Sequence, residues 1–256
     1  MAENIKFYSL KKPGFSLVEL CVAILVFGVV ARAIFYSNTL SYELLNSALK
    51  SQKLQSLNSA INIISAYYRS HIAQSVLSSE DKLLWVSANE YAQSSYLSLV
   101  DMSRSNREKI ITKFKPSNIL EAFSQSAGVD FASEFKVVAI FNGVSYNTSD
   151  FGYFGDNSLA LVRASGDDIL QIKPGYKGQI SGAYTLASSA YALSFDKDSG
   201  AIWLYHDWHP WLDESLISAP KALIIDGLSG AKFSISEAGT EIELCIDEIC
   251  AKEILL

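Results

Sequence analysis

Glu19 is the side chain most sharply placed to do chemistry in this chain, because it lies inside Phe15–Phe35, a run of 21 mostly apolar residues. A carboxylate in an apolar helix costs a few kcal/mol at a bilayer centre, and such residues persist where they have a partner. Cys245 and Cys250 form a second group, on either side of Ile246-Asp247-Glu248-Ile249. If Asp247-Glu248 is a two-residue hairpin turn, the cysteines face each other across the strands within disulfide reach. In an oxidising compartment such a ring would contribute about 2 kcal/mol in the chain-entropy view, offsetting the poor fit of Asp-Glu to positive φ angles. Free thiols or a metal site are the alternatives, the latter weak without a nearby His or a second Cys pair.

Two loops invite cation chemistry. Asp196-Lys197-Asp198-Ser199-Gly200 alternates oxygen donors before a glycine, but lacks the distal bidentate acid of a calcium loop and reads better as a hairpin turn between Phe195 and Ala201. His206-Asp207-Trp208-His209-Pro210-Trp211, with Asp213 and Glu214 nearby, admits a metal site, a subunit contact through Trp208 and Trp211, or burial of those aromatics. Catalysis finds little footing, and no catalytic residue is assigned. His71, His206 and His209 are the only histidines, and there is neither a nucleophile-elbow pattern nor a glycine-rich phosphate loop. No cofactor and no metal is expected. The residues after Gly14 carry a net charge of about −8 with His neutral, which argues against direct nucleic-acid binding.

The positioning elements begin with the apolar run. Lys6, Lys11 and Lys12 precede it against the single acid Glu3, which predicts a cytoplasmic N-terminus. At about 1.5 Å per residue the run spans roughly 30 Å of hydrocarbon. The small residue expected of a cleavage site, Gly14, stands before the apolar core, so cutting there would leave the helix on the mature protein. Cys21 within that helix reads as a small packing residue.

Helical periodicity continues through Leu40, Leu44, Leu54, Leu57, Ile61, Ile64 and Tyr68, and no proline occurs between Pro13 and Pro116. A helix to about Ile72 is expected, on the order of 85 Å long, with its second half buried on a globular domain; an intermolecular coiled coil is the alternative. Residues 73–135 read as a polar, serine-rich insert, helical in patches, including a capped helix at Asn118–Glu121. From Lys136 the chain becomes short β-prone runs at 136–141, 158–164, 168–173, 191–195, 201–205, 222–225, 232–236 and 241–246, spaced as for antiparallel sheet. The expected organisation is therefore 1–14 leader, 15–35 transmembrane helix, 36–72 amphipathic helix, 73–135 insert and 136–256 β-rich domain. The fold class is α+β, a long N-terminal transmembrane and amphipathic helix packed on a C-terminal antiparallel β-sheet domain.

Lys11-Lys12-Pro13-Gly14 followed by Phe15-Ser16-Leu17-Val18-Glu19-Leu20 resembles the class III leader of type IV pilin-like proteins. Gly28 falls where many of these helices carry a glycine, whereas Tyr36 stands where many major pilins have proline. Residues 185–240, with Ala190–Phe195, Ala201–Tyr205, Ala222–Leu228 and Lys232–Ile235, are similar in pattern to J-type minor pseudopilins and W-type minor pilins. The resemblance implies cleavage between Gly14 and Phe15 by a prepilin peptidase and N-methylation of Phe15. It also implies that Glu19 faces the α-amine of a neighbouring subunit and sets register. It further implies a single-pass inner-membrane protein with a periplasmic outer domain, contacts with membrane lipid, and partnership with other pilin-like subunits in a type II secretion or type IV pilus-like filament, in its tip or initiation complex. The alternative expectation is a membrane-tethered periplasmic binding or catalytic domain that uses a pilin-like export signal.

Overall fold

In the computed structural model, residues 16–89, 99–112, 130, 133–165 and 168–255 are described. The chain divides into two units, Met1–Gln52 and Lys53–Leu256. Helix α1, Leu17–Tyr68, begins in the first and ends in the second.

Many Ala, Leu, Glu, Lys and Gln residues and the absence of proline carry α1 through its 52 residues despite Gly28. In the first unit its apolar side chains are solvent-facing, with Ile24 64% and Phe27 74% exposed. In the second unit Leu57, Ala60, Ile61, Ile64 and Tyr68 are buried, one side of the helix at spacings of three and four. The helix ends at Tyr68, short of the expected Ile72. Its last carbonyl accepts from the His71 backbone N–H at 2.8 Å and is met by His71 Nδ1 at 3.0 Å, an end provided by a side chain instead of by glycine or proline.

Three antiparallel arrays follow. The first is β1 (Leu77–Ser78), β2 (Lys82–Ser87), β8 (Ser189–Asp196), β9 (Ala201–Trp208) and β10 (Lys221–Ile225), in that spatial order. The second is β11 (Gly230–Ser236), β12 (Gly239–Ile246) and β13 (Ile249–Leu255). Both place side chains on α1: Leu83, Trp85, Leu193, Phe195, Ile202 and Leu204 from the first, Phe233, Ile242, Leu244, Ala251 and Leu255 from the second. Each fully buried aliphatic side chain contributes on the order of 1.5–3 kcal/mol. Tyr68 Oη and Thr240 Oγ1 are 2.6 Å apart within this core, so the buried hydroxyls satisfy each other.

The third array is β3 (Lys109–Ile111), β4 (Val137–Phe141), β5 (Ala160–Ala164), β6 (Ile169–Ile172) and β7 (Tyr184–Ala187), ordered β3-β6-β5-β4-β7. Its two edges meet. The Val100 N–H donates to Gly182 O beside β7 at 3.0 Å, and the Asp101 N–H donates to Ile111 O on β3 at 2.8 Å; bridges pair Leu99 with Ala183 and Val100 with Thr112. The sheet is thereby closed into a small barrel, which removes the open edges that strands otherwise expose. Alternate residues fill its inside, among them Ile110, Ala139, Phe141, Val162, Leu170 and Leu186. Their neighbours Val138, Ile140, Leu161 and Ala187 face the other way and pack with Ala190, Ala192 and Trp208 of the first sheet's second face and with Trp211 of the turn after β9.

The barrel is an insertion between paired strands. Ser87 and Ser189 are register partners on β2 and β8, so the chain leaves the first sheet, builds the barrel and returns beside its point of departure. The expected boundary at residue 136 falls within the barrel, between β3 and β4, and β8–β13 form the sheets on the helix. Among its described residues, the 73–135 segment contains the 3-10 turn Ala73–Ser75 together with β1, β2 and β3. Lys82–Ser87 hid its strand character because Leu83 and Trp85 are buried against the helix while Leu84 and Val86 pack toward the barrel, leaving no polar alternation to read. The helix anticipated at Asn118–Glu121 lies outside the described residues.

His71 gives the fold a pH dependence. Its ring stacks on Tyr68 at 4.0 Å, and burial holds its pKa below the ordinary 6.5, the Tyr68 carbonyl acting in the opposite direction. The unfolded chain therefore binds this proton first as pH falls. The stability contribution is complete above pH 6.5 and is lost as pH drops through the depressed folded value. Urea midpoints measured from pH 7.5 down to about 5 should fall more steeply for the wild type than for His71→Gln.

Candidate functional site

At the N-terminal end of α1, the Ser16 N–H donates to Glu19 Oε2 at 3.0 Å, and the Val18 N–H donates to Ser16 Oγ at 3.3 Å. Glu19 thus reaches back to the Ser16 backbone as the N3 acid of a capping box does, while the Ser16 hydroxyl caps Val18, each side chain satisfying a backbone donor at the start of the helix. The carboxylate also sits where the helix dipole favours negative charge. This role is legible in Ser16-Leu17-Val18-Glu19 as the S-x-x-E pattern, a local signal beside the intersubunit role expected for Glu19. Gly14 and Phe15, the expected cleavage pair, lie outside the described residues.

The body of the helix behind this cap meets the length and composition of a membrane span, with a mean hydropathy of 2.4 over its most apolar window and none of that window buried. Gly28 has open space around the position a Cβ would take. Cys21 is exposed and free.

The C-terminal hairpin holds the second candidate group. Cys245 and Cys250 are bonded, their Cα atoms 4.1 Å apart as direct register partners one step out from Ile246 and Ile249. The turn between them uses a left-handed residue, Asp247 at φ 53°, the strain anticipated for Asp-Glu. Besides the disulfide, the Ser229 hydroxyl donates to Asp247 O at 3.1 Å, and Lys53 Nζ of α1 meets Asp247 Oδ2 at 2.6 Å. That ion pair is exposed and worth at most about 1 kcal/mol, so the disulfide is the main clamp. Glu243, Cys245 and Cys250 form the one metal-spaced cluster of ligand atoms among the described residues; both thiols are consumed in the bond, which removes them as ligands.

The Asp196–Gly200 segment is the hairpin between β8 and β9. Ser199 Oγ donates to Asp196 Oδ2 at 2.6 Å and the Asp198 N–H to Oδ1 at 3.1 Å. These bonds, the Ser199 hydroxyl first, hold the Asp196 pKa below its ordinary range and turn both oxygens inward to the loop.

In the 206–214 loop, Trp208 and Trp211 are 3% and 2% exposed, part of the packing between barrel and sheet and not an open contact surface. Their indole N–H groups donate to Glu214 O at 2.9 Å and Lys136 O at 2.8 Å, which satisfies them as burial requires. His209 is buried beside them. Its backbone N–H and Nδ1 both meet Glu214 Oε2 at 2.9 Å, while Nε2 has no hydrogen-bond partner and lies 3.9 Å from Asp207 Oδ1. The loop is a structural strap that seats two indoles.

Comparison of this chain with protein-family models, curated proteins and solved structures yields no match.

Proposed function

We propose that this chain is a non-enzymatic minor subunit of a pilin-like filament, of the J-type minor pseudopilin or W-type minor pilin kind, placed in a tip or initiation complex. The observation that carries the reading is the single helix Leu17–Tyr68. Its first unit exposes a long apolar run that meets the length and composition of a membrane span, and its last turns form the core of a β domain. In this role a prepilin peptidase cuts after Gly14, Phe15 is N-methylated, and the lysines before the span keep the N-terminus cytoplasmic and the β domain periplasmic. Assembly into a type II secretion or type IV pilus-like filament exchanges lipid contact for helix contact with sister subunits. Glu19 supplies register by meeting a neighbour's α-amine.

The Glu19 cap on the Ser16 N–H makes the test discriminating. Glu19→Gln keeps a side-chain acceptor for the Ser16 N–H and removes the charge, whereas Glu19→Ala removes both. If the charge sets register, both variants should recover sister subunits in membrane pull-downs at least about tenfold less well than wild type. Recovery of Glu19→Gln at the wild-type level would leave Glu19 with a capping role alone. The second reading, a membrane-tethered periplasmic binding domain, draws support from the inserted barrel, a self-contained module with clefts at its mouth.

A further inference from the structure

One end of the barrel carries a cluster of cations that neither the core nor the helix explains. The connection from β6 to β7 begins Lys173-Pro174-Gly175-Tyr176-Lys177-Gly178 and stands as a wall between two clefts, of about 600 Å³ and 380 Å³, that share Pro174, Gly175 and Tyr176. The larger is lined by Lys173 and Lys177 with Asn157, Ser158, Leu159 and Leu161. The smaller is lined by Arg107 and Gln171, with Glu108 as the one acid on either surface.

The wall is built and not merely draped. The Lys173 N–H donates to Leu161 O at 2.8 Å, and the Tyr176 hydroxyl donates to Gln179 O at 2.9 Å. The Tyr176 ring lies 6.3 Å from Phe141, the aromatic that fills this end of the barrel. A Cβ on Gly178 would come within 2.3 Å of the Tyr176 hydroxyl oxygen, so the ring in its present position lies directly against residue 178. Buried side chains fill the interior, and the clefts at the mouth are where this module can take a ligand.

Charge selects the ligand. The chain as a whole has net charge −6. Yet Lys173 and Lys177 line the larger cleft and Arg107 the adjoining one, and none of the three has a carboxylate within ion-pair distance among the described residues. Cations without protein counter-charges, beside amide and hydroxyl groups and a tyrosine ring, suit a carboxylate or phosphate. The larger cleft falls in the range that holds small organic molecules, and its leucines and tyrosine offer apolar contact to more than a bare ion.

We infer that the barrel mouth binds a small organic anion, its acidic group held by Lys173 and Lys177 and its body against Tyr176, with Arg107 adding field from the adjoining cleft. This binding is independent of filament assembly, and either can fail without the other.

The test is calorimetric titration of the full chain, in a zwitterionic detergent at constant ionic strength, with glucuronate, inorganic phosphate and glucose as probes. Glucuronate should bind saturably at one site, phosphate more weakly because it leaves the Tyr176 wall uncovered, and glucose not measurably. Replacing both lysines (Lys173→Ala with Lys177→Ala) should weaken glucuronate binding at least about tenfold, and Arg107→Ala about threefold. The paired Lys173→Arg and Lys177→Arg changes should restore it, with the far-UV spectrum unchanged throughout. Absence of saturable binding by both anions, glucose binding as tightly as glucuronate, or wild-type affinity in the double alanine variant would each overturn the assignment.

Discussion

Ile61→Ala is expected to destabilise the Lys53–Leu256 unit by about 2–5 kcal/mol, the range for truncating a large aliphatic side chain in a packed core. Ile61 is 1% exposed, between Leu57 and Ile64 at 0% each, in the cluster shared by α1 and both sheets that cover it. Three elements meet at this residue, and a cavity there cannot be closed by moving any one of them alone. For a unit of this size the change corresponds to a drop of roughly 10 °C in Tm, readable by thermal scanning in detergent. Leu44→Ala, on the first unit where the side chain is 62% exposed, is the control and should leave Tm within about 2 °C. Equal effects from the two variants would mean that the buried stripe of the helix does not organise the domain.

Gly152→Ala is expected to cost about 3 kcal/mol or more, out of proportion to the single methyl it adds. Gly152 has φ 86°, in the left-handed half of backbone space that side chains disfavour. A Cβ there would lie 2.6 Å from Pro210 C and O and 2.7 Å from Trp211 N. These are backbone atoms of the strap, which cannot swing aside as a side chain would. Displacing them unseats Trp211 and strains its bond to Lys136 O and the bond from Asn157 Nδ2 to Trp211 O at 3.0 Å. The expected signature is a lowered urea midpoint together with a changed near-ultraviolet spectrum from the buried indoles. Wild-type values of both would show that the Pro210 turn can retreat without loss.

The parts of the fold that could be read from the residues are those whose determinants are local. The Cys245–Cys250 clamp follows from a two-residue turn, and the β8–β9 hairpin from Asp196–Gly200, because both pair residues a few positions apart. The Leu57, Ile61, Ile64 and Tyr68 stripe follows from helical spacing. The barrel was not legible in the same way. β3 has three residues and β7 four, too short for alternation to register, and closure depends on residues 99–101 reaching two strands at once. At the candidate sites, Glu19 stood out through the cost of a carboxylate among apolar neighbours, yet its cap on Ser16 is an equally local signal. The mouth cations were not legible in the same way, because Arg107 precedes β3 while Lys173 and Lys177 follow β6, two connections distant in sequence that only the closed barrel brings to one end.

By itself the amino-acid order determined a long apolar helix, a switch to short antiparallel strands and a covalent clasp near the end, since hydrophobic period, turn chemistry and cysteine spacing act within a few residues. Tertiary structure alone decided that Ser87 and Ser189 lie side by side with a closed barrel inserted between them, and that two tryptophans serve as packing beneath a strap. Those outcomes rest on pairing and burial between distant segments, whose free energy exists only once the intervening chain has folded.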